Sequence, residues 1–354
     1  MMKRRKFLIA VCLSIFIFVS GQALAEKDHP LSPYPSLEEL YEEVNSFAKN
    51  HPELVSLEEL GKSVEGRPIY LLRFGFAKSP SKPKALIAGG IHAEEFIGVA
   101  VGMETARELI QKSETAPAVK ELLTQIEIDL IPVQNPDGYN RVYETNGKGG
   151  EKGMRKNANG VDLNRNFPVV PGAKSLHPLA GNRRPRSNYY MGPSELSEPE
   201  SRAMAELVKS GNYFVVFNLH SVAGKFLYPY THTKTPAPDR ELFIEIGKAF
   251  QAGQQSYKYK IQQSYSWYPT LGDPDDYNYL ALGIPSFTIE VSTVGSNLAD
   301  KGFRTFKEFW IANPGEKYDY WIKNDAPGLI LAIEKAYQLT GGKPLEKKAK
   351  WEKQ

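Results

Sequence analysis

Cysteine is nearly absent from this sequence: 354 residues contain one, Cys12. It lies in a segment that reads as removable. Lys3, Arg4, Arg5 and Lys6 form a basic stretch, Phe7 to Ser20 an apolar one, and "ALA" at 23–25 offers small residues for cleavage. This is the pattern of a secretory signal peptide, with an apolar core too short for a membrane span. The valine directly before Cys12 disfavours a lipoprotein signal. The mature chain is therefore expected to start near Glu26, to be exported to a periplasm or the exterior, and to hold no disulfide. Its stability must then come from its core, and a chain of this size can bury a sizeable one. No long segment precedes residue 33 to fold as an inhibitory pro-domain, so no activation beyond signal removal is expected. No other apolar run is long enough to cross a bilayer. An excess of charge is missing too. Removing 1–25 takes four basic and no acidic residues, so the formal charge falls from +3 to −1. That removes the electrostatic basis for a nucleic-acid partner. With no internal repeat or low-complexity linker, residues 26–354 are expected to form one domain.

What is present is a globular composition, 41% hydrophobic and 24% charged. "SLEELYEEVNSFAKN" reads as an amphipathic helix opened by a capping box of Ser36 and Glu39. "LVSLEELGKSVEGRPIYLLRFG" reads as two strands around a Gly-containing turn. "KALIAGG", "IEIDLIPV", "YFVVFNLH" and "IPSFTIEV" are short apolar strands. Helical patterns lie between them: "FIGVAVGMETARELI", "SEPESRAMAELVKS" with Ser197 and Glu200 as its cap, and "DRELFIEIGKAFQAGQ". A last helix is expected through "GLILAIEKAYQLT". Strands alternating with helices predict an α/β domain, with helices on both faces of a mostly parallel or mixed sheet. Sites in such sheets gather beyond the carboxyl ends of strands. His92, Asn135, His220 and Glu290 all stand at or near such ends.

Six histidines follow the signal. His29, His51, His177 and His232 lie in polar, Pro- or Thr-flanked stretches and read as surface residues. His92 and His220 each terminate an apolar strand. A lone histidine there is more often structural than a ligand. Zinc, however, takes imidazole nitrogens and carboxylate oxygens, and His92-x-x-Glu95 with distant His220 supplies such a set. The helical H-E-x-x-H pattern is absent, so any metal site is built from turns after strands.

Further motifs follow in order: "NPDGYN" at 135–140, "MRK" at 154–156, "GVDLNRNFP" at 160–168, "GPSELSEPE" at 192–200, "NLHS" at 218–221 and "FTIEVST" at 287–293. Over residues 33–340 the chain resembles the zinc metallocarboxypeptidases, the family of the pancreatic carboxypeptidases A and B and their bacterial relatives. The resemblance implies a three-layer α/β/α fold around a mixed, mostly parallel sheet of about eight strands. It also implies one zinc ion per chain on His92, Glu95 and His220, with Asp162 orienting the first histidine. Asn164 and Arg165 match the pair that grips a substrate's terminal carboxylate, a task suited to a planar guanidinium. Arg155 matches the arginine that stabilises the oxyanion of the scissile carbonyl. Glu290 matches the general base, which moves a proton from the attacking water to the leaving amine. Tyr268 lies 22 residues before Glu290, as does the family's mobile tyrosine that closes over substrate.

There are departures. Glu94 stands where many members carry Arg, at a position that neighbours the substrate residue preceding the cleaved bond. Val222 replaces a tyrosine of the digestive enzymes. Asp275, in "GDPDDYNY", falls where an aspartate marks a preference for Lys or Arg; its bland alternative is an acidic turn. The expected function is an exported zinc carboxypeptidase acting on peptides, with a preference for basic C-terminal residues. A second reading is a cell-wall peptide hydrolase acting on a peptidoglycan-derived stem that contains a diamino acid. A third is a catalytically inactive peptide-binding module, which would be expected to have lost a ligand or the base; none is lost.

Overall fold

A computed structural model describes residues 29–301 and 308–346. The signal-peptide segment 1–25 lies outside the described residues. Eight strands build the sheet: β1 Val55–Lys62, β2 Pro68–Phe74, β3 Lys84–Gly89, β4 Glu127–Ile131, β5 Tyr213–Ser221, β6 Lys225–Tyr228, β7 Lys260–Gln263 and β8 Ser286–Val291. Their order is β1-β2-β4-β3-β5-β8-β6-β7. The four central strands, β4, β3, β5 and β8, are all parallel. Pairing turns antiparallel at β2–β4 on one side and at β8–β6 on the other.

Strands β3, β4 and β5 are buried at every position, because helices or loops cover both faces. Alternation along each strand divides the core in two. Ile87, Phe217, Phe287 and Ile289 pack on one face beneath the long helices Phe96–Thr115, Arg240–Gly253 and Tyr318–Thr340. Leu86, Ala88 and Val216 pack on the other, with helix Pro199–Ser210 and the segment holding Leu163 and Phe167. Asn218, His220, Ser286, Thr288 and Glu290 have the parity of this second face, so polar groups replace its apolar ones towards the strand ends.

Two helix boundaries differ from expectation. The capping box of Ser36 and Glu39 forms as predicted. Helix Pro199–Ser210, however, starts after Glu198, with no side-chain cap. Ser197 instead donates to Glu198 (2.7 Å), and Glu200 accepts from Val64 N (3.2 Å) and Asn157 (3.2 Å). Tertiary partners have taken both polar groups from the helix end. The last helix starts ten residues earlier than predicted, at Tyr318, and runs through Pro327. Buried Asn324 and Asp325 in that first part bond Gln254, Tyr259 and the backbone at 256–257, which hides the apolar periodicity that would have revealed it.

One glycine fixes how closely the site is packed. A Cβ on Gly98, in the first turn of helix Phe96–Thr115, would lie 3.0 Å from the carbonyl oxygen of Leu219, the residue before His220. Gly98→Ala is expected to destabilise the fold by about 1–3 kcal/mol, the usual cost of overpacking against an immobile backbone. Urea denaturation of the zinc-free protein measures it.

Candidate metal centre and substrate cavity

β3 ends at Gly89, and Gly90 turns with φ 65°, a conformation open to glycine and strained for other residues. The backbone of β4's extension holds this turn: Gln134 N donates to Gly89 O (2.9 Å) and Asn135 N to Gly90 O (3.0 Å). Asn135 itself caps helix Pro136–Glu144 through Gly138 N. Beyond the turn, His92 and Glu95 are buried just before helix Phe96–Thr115. His220, near the end of β5, completes the group, with the three ligand atoms all within 4.8 Å of one another. His92 Nδ1 lies 2.8 Å from Glu95 Oε1, His220 Nδ1 lies 2.9 Å from Glu95 Oε2, and the two Nδ1 atoms are 3.1 Å apart. A tetrahedral ion with bonds of about 2.0–2.1 Å spaces its ligand atoms by roughly 3.3 Å, so this triangle fits zinc with little adjustment.

Asp162 ties the centre to the substrate side. Its Oδ1 is 3.2 Å from His92 Nε2, which leaves Nδ1 of that ring to the metal position. The same oxygen accepts from Asn164 N (3.1 Å), and Oδ2 accepts from Arg155 Nε (2.9 Å). Burial alone would raise the Asp162 pKa; the Arg155 charge and the His92 bond outweigh it and hold the carboxyl far below the carboxylate range. Burial likewise acts against ionised Glu95, and the two imidazoles reverse it.

Glu290 stands across from His220 in the parallel β5–β8 pair, on the same face. Burial, and then the nearby charge of Glu95, push its carboxyl up to about 8. Its Oε2 is buried without a hydrogen-bond partner, as is Nη2 of Arg155. A cation among the ligands would draw Glu290 back towards the ionised form. Glu94 is buried too, at 8% exposed, with Oε2 unpartnered, while its backbone carbonyl accepts from Asn313 (2.6 Å).

Beside Glu290 lies a pocket open to solvent, about 350 Å³ with the solvent at its mouth included, lined by Asn164, Leu227, Trp267, Tyr268, Asp275 and Thr288 among others. Arg165 is buried next to it, its guanidinium held by the carbonyls of Leu179 (3.0 Å) and Asn164 (2.7 Å). Tyr268 feels the charges of Arg165, Arg155 and Glu290, so the structure gathers all these predicted residues around one space. Asp275 sits against the cavity, accepting from Asn218, Ser286 and Thr288 at 2.7 Å each. Burial, then Asp273, push it up to about 7. Neither Asp273 nor Asp275 has a cationic partner among the described residues; Asp276 pairs with His232.

Several members of this neighbourhood escape sequence reasoning. Tyr189 places its ring under both guanidinium groups, 5.2 Å from Arg155 and 5.8 Å from Arg165. Lys225 and Trp267 flank Glu290 and the cavity. The polar alternation Ser286, Thr288, Glu290 within "SFTIE" is the one signal that could have exposed this wall. The histidines read as surface residues are each partly covered: His29 stacks on Tyr143 at 3.9 Å, His177 faces Tyr268 at 6.0 Å, and His232 bonds Asp276.

Comparison with known proteins agrees with this geometry. The zinc carboxypeptidase family model matches residues 40–314. Carboxypeptidase A4 of Mus musculus is 32% identical over 280 residues, covering 76% of this chain and 64% of that protein. Carboxypeptidase A1 of Mus musculus is 30% identical over 308 residues, 82% of this chain and 71% of that protein. The chain thus spans about two thirds of the length of these relatives. The carboxypeptidase A structure from Helicoverpa armigera superposes with a TM-score of 0.71 at 23% identity, covering 87% of this chain and 75% of the other. In fold the two are alike over most of this chain. A family model spanning most of the chain, together with a His₂Glu triangle of zinc dimensions, places this protein in the zinc carboxypeptidase family.

Proposed function

We propose that this chain is an exported zinc carboxypeptidase that removes C-terminal residues from peptides, with a preference for basic ones, through a single catalytic domain over 26–354. The observation that carries the reading is the pairing of two features on one cavity. A buried arginine with Asn164 and Tyr268 flanks it, and uncompensated acids line it. Such a cavity takes a free carboxylate and the side chain beside it, so the bond reached by Glu290 is the last one.

Zinc on His92, Glu95 and His220 would supply Lewis acidity to water and the scissile carbonyl. Glu290, with a free carboxylate oxygen, accepts a proton from the attacking water and returns it to the departing amine. Arg155, anchored through Nε by Asp162, keeps Nη2 for the oxygen on which charge develops. Arg165, Asn164 and Tyr268 hold the terminal carboxylate, and Arg165 is already fixed by two backbone carbonyls.

Peptides ending in Arg, Phe or Glu, assayed with and without a chelator, test the reading. Activity that survives complete zinc removal would exclude it. A wall tripeptide ending in a diamino acid belongs in the same assay, because Asp273 and Asp275 could equally receive the extra amine of such a residue.

Asp275 gives a further expected result. Terminal Arg requires its ionised form, and burial holds that carboxyl near 7. The ratio of kcat/KM for Arg- over Phe-ended peptides is expected to rise between about pH 6 and 8. Asp275→Asn is expected to lower the ratio about tenfold or more and flatten its pH dependence, as loss of a buried charge partner does. Equal rates for Arg and Phe in the parent enzyme would remove Asp275 from its role.

A further inference from the structure

β6 brings to the site a charge for which the chemistry above has no use. Lys225 is opposite Glu290 in the antiparallel β6–β8 pair, and the next pair on the same face is Leu227 with Thr288. Leu227 and Thr288 both line the cavity, and Thr288 donates to Asp275. Residues two apart share a face and lie about 7 Å apart along the strand. Lys225 therefore stands one such step from the cavity wall, level with the base. Its half-buried ammonium lies over the ring of Trp267, 5.8 Å from the centroid, and Trp267 also lines the cavity. Among the described residues it has this ring contact and no ion pair. An aromatic face steadies an ammonium and leaves its N–H groups free to donate.

The substrate's path follows from the same register. The terminal side chain enters the cavity beside Thr288 and Asp275, and the scissile bond lies at Glu290. The residue before that bond must then continue along β8 away from Thr288, past Lys225. Glu94, the other charge expected near this residue, is buried with its backbone tied to Asn313 (2.6 Å) and forms no ion pair with Lys225 among the described residues.

We propose that Lys225, steadied by Trp267, is a specificity-determining residue that receives an acidic side chain on the residue preceding the scissile bond. The enzyme then favours peptides with Glu or Asp in the penultimate position. This rests on the carboxypeptidase function proposed above.

The test compares acetylated tripeptides with Glu, Ala or Lys in the penultimate place, each ending in Arg and, in a second series, in Phe. The zinc-loaded enzyme is used as purified. The parent is expected to show a kcat/KM ratio of Glu over Ala of about three to five, the scale of a partly exposed ion pair. Lys225→Met is expected to bring the ratio to about one, Lys225→Glu to invert it in favour of penultimate Lys, and Lys225→Arg to keep it. Because ratios are read, a uniform loss of activity in a variant cancels. Hydrolysis with a ratio near one in the parent, or a ratio unchanged in Lys225→Met, overturns the inference and leaves the carboxypeptidase function standing. Hydrolysis of no peptide in either series overturns both.

Discussion

Glu290→Gln is expected to lower kcat by about 10²- to 10⁴-fold, the usual contribution of a positioned acid–base group, while zinc content stays at one ion per chain. Glu290 is not among the three clustered ligands, and its amide replacement preserves shape and burial, so the metal should stay. KM should move little, because the residues proposed to hold the terminal carboxylate, Arg165, Asn164 and Tyr268, are separate from it. The variant is also expected to fold, and to be at least as stable as the parent at neutral pH. Burial raises the Glu290 carboxyl pKa to about 8 in the folded protein, so the folded state of the metal-free protein binds more protons than the unfolded chain from about pH 4 upward. Ionisation therefore costs stability as pH rises through that window, a cost glutamine does not carry. Single-turnover kinetics beside atomic absorption separates the outcomes. Near-normal turnover with full zinc would remove Glu290 as the base.

Stripping zinc with a chelator is expected to abolish turnover, and about one equivalent of added zinc to restore it. The stability effect should be nearly as clear. Two imidazole nitrogens and two carboxylate oxygens are packed 2.8–3.1 Å apart in the interior. A ligand that binds only the folded state at a thousand times its Kd adds about 4 kcal/mol, so the melting temperature should rise with zinc. His220→Asn should remove both responses. Its ring is held by Glu95 while Nε2 lacks a protein partner, and the remaining His92 and Glu95 form an incomplete site. Unchanged melting and activity after verified removal would exclude a zinc site at these residues.

Much of the sheet could be read from the sequence, because buried strands announce themselves as short apolar runs ending in glycine or a polar residue. His92 and His220 stood out for the same reason: each interrupts apolar sequence at the point where a strand ends. The less legible features share one physical cause, in that they depend on partners distant along the chain. Ser197 and Glu200 have the composition of a cap, but Asn166, Asn157 and Val64 recruit them. The early part of the last helix carries Asn324 and Asp325 inward, where Gln254 and Tyr259 satisfy them. Tyr189 is one of 19 tyrosines, and only the fold brings its ring to two guanidinium groups ten positions apart in the chain. Lys225 reads as an ordinary strand-edge lysine until its register with Glu290 is known.

The change from parallel to antiparallel pairing at β8 has a consequence for how such an enzyme can be altered. The proposed metal ligands follow the end of β3 and sit on β5, in the parallel centre, where each strand is gripped on both edges and both faces. The groups proposed to choose the substrate belong to β6, to the outer wall around Asp275, and to residues of β8 that face them. Chemistry and selectivity thus occupy separate mechanical territories that meet along one strand. On the proposed assignment, mutational libraries confined to the β6 wall are expected to retune what is cleaved while the hydrolytic apparatus stays intact, and natural divergence would have the same route open to it.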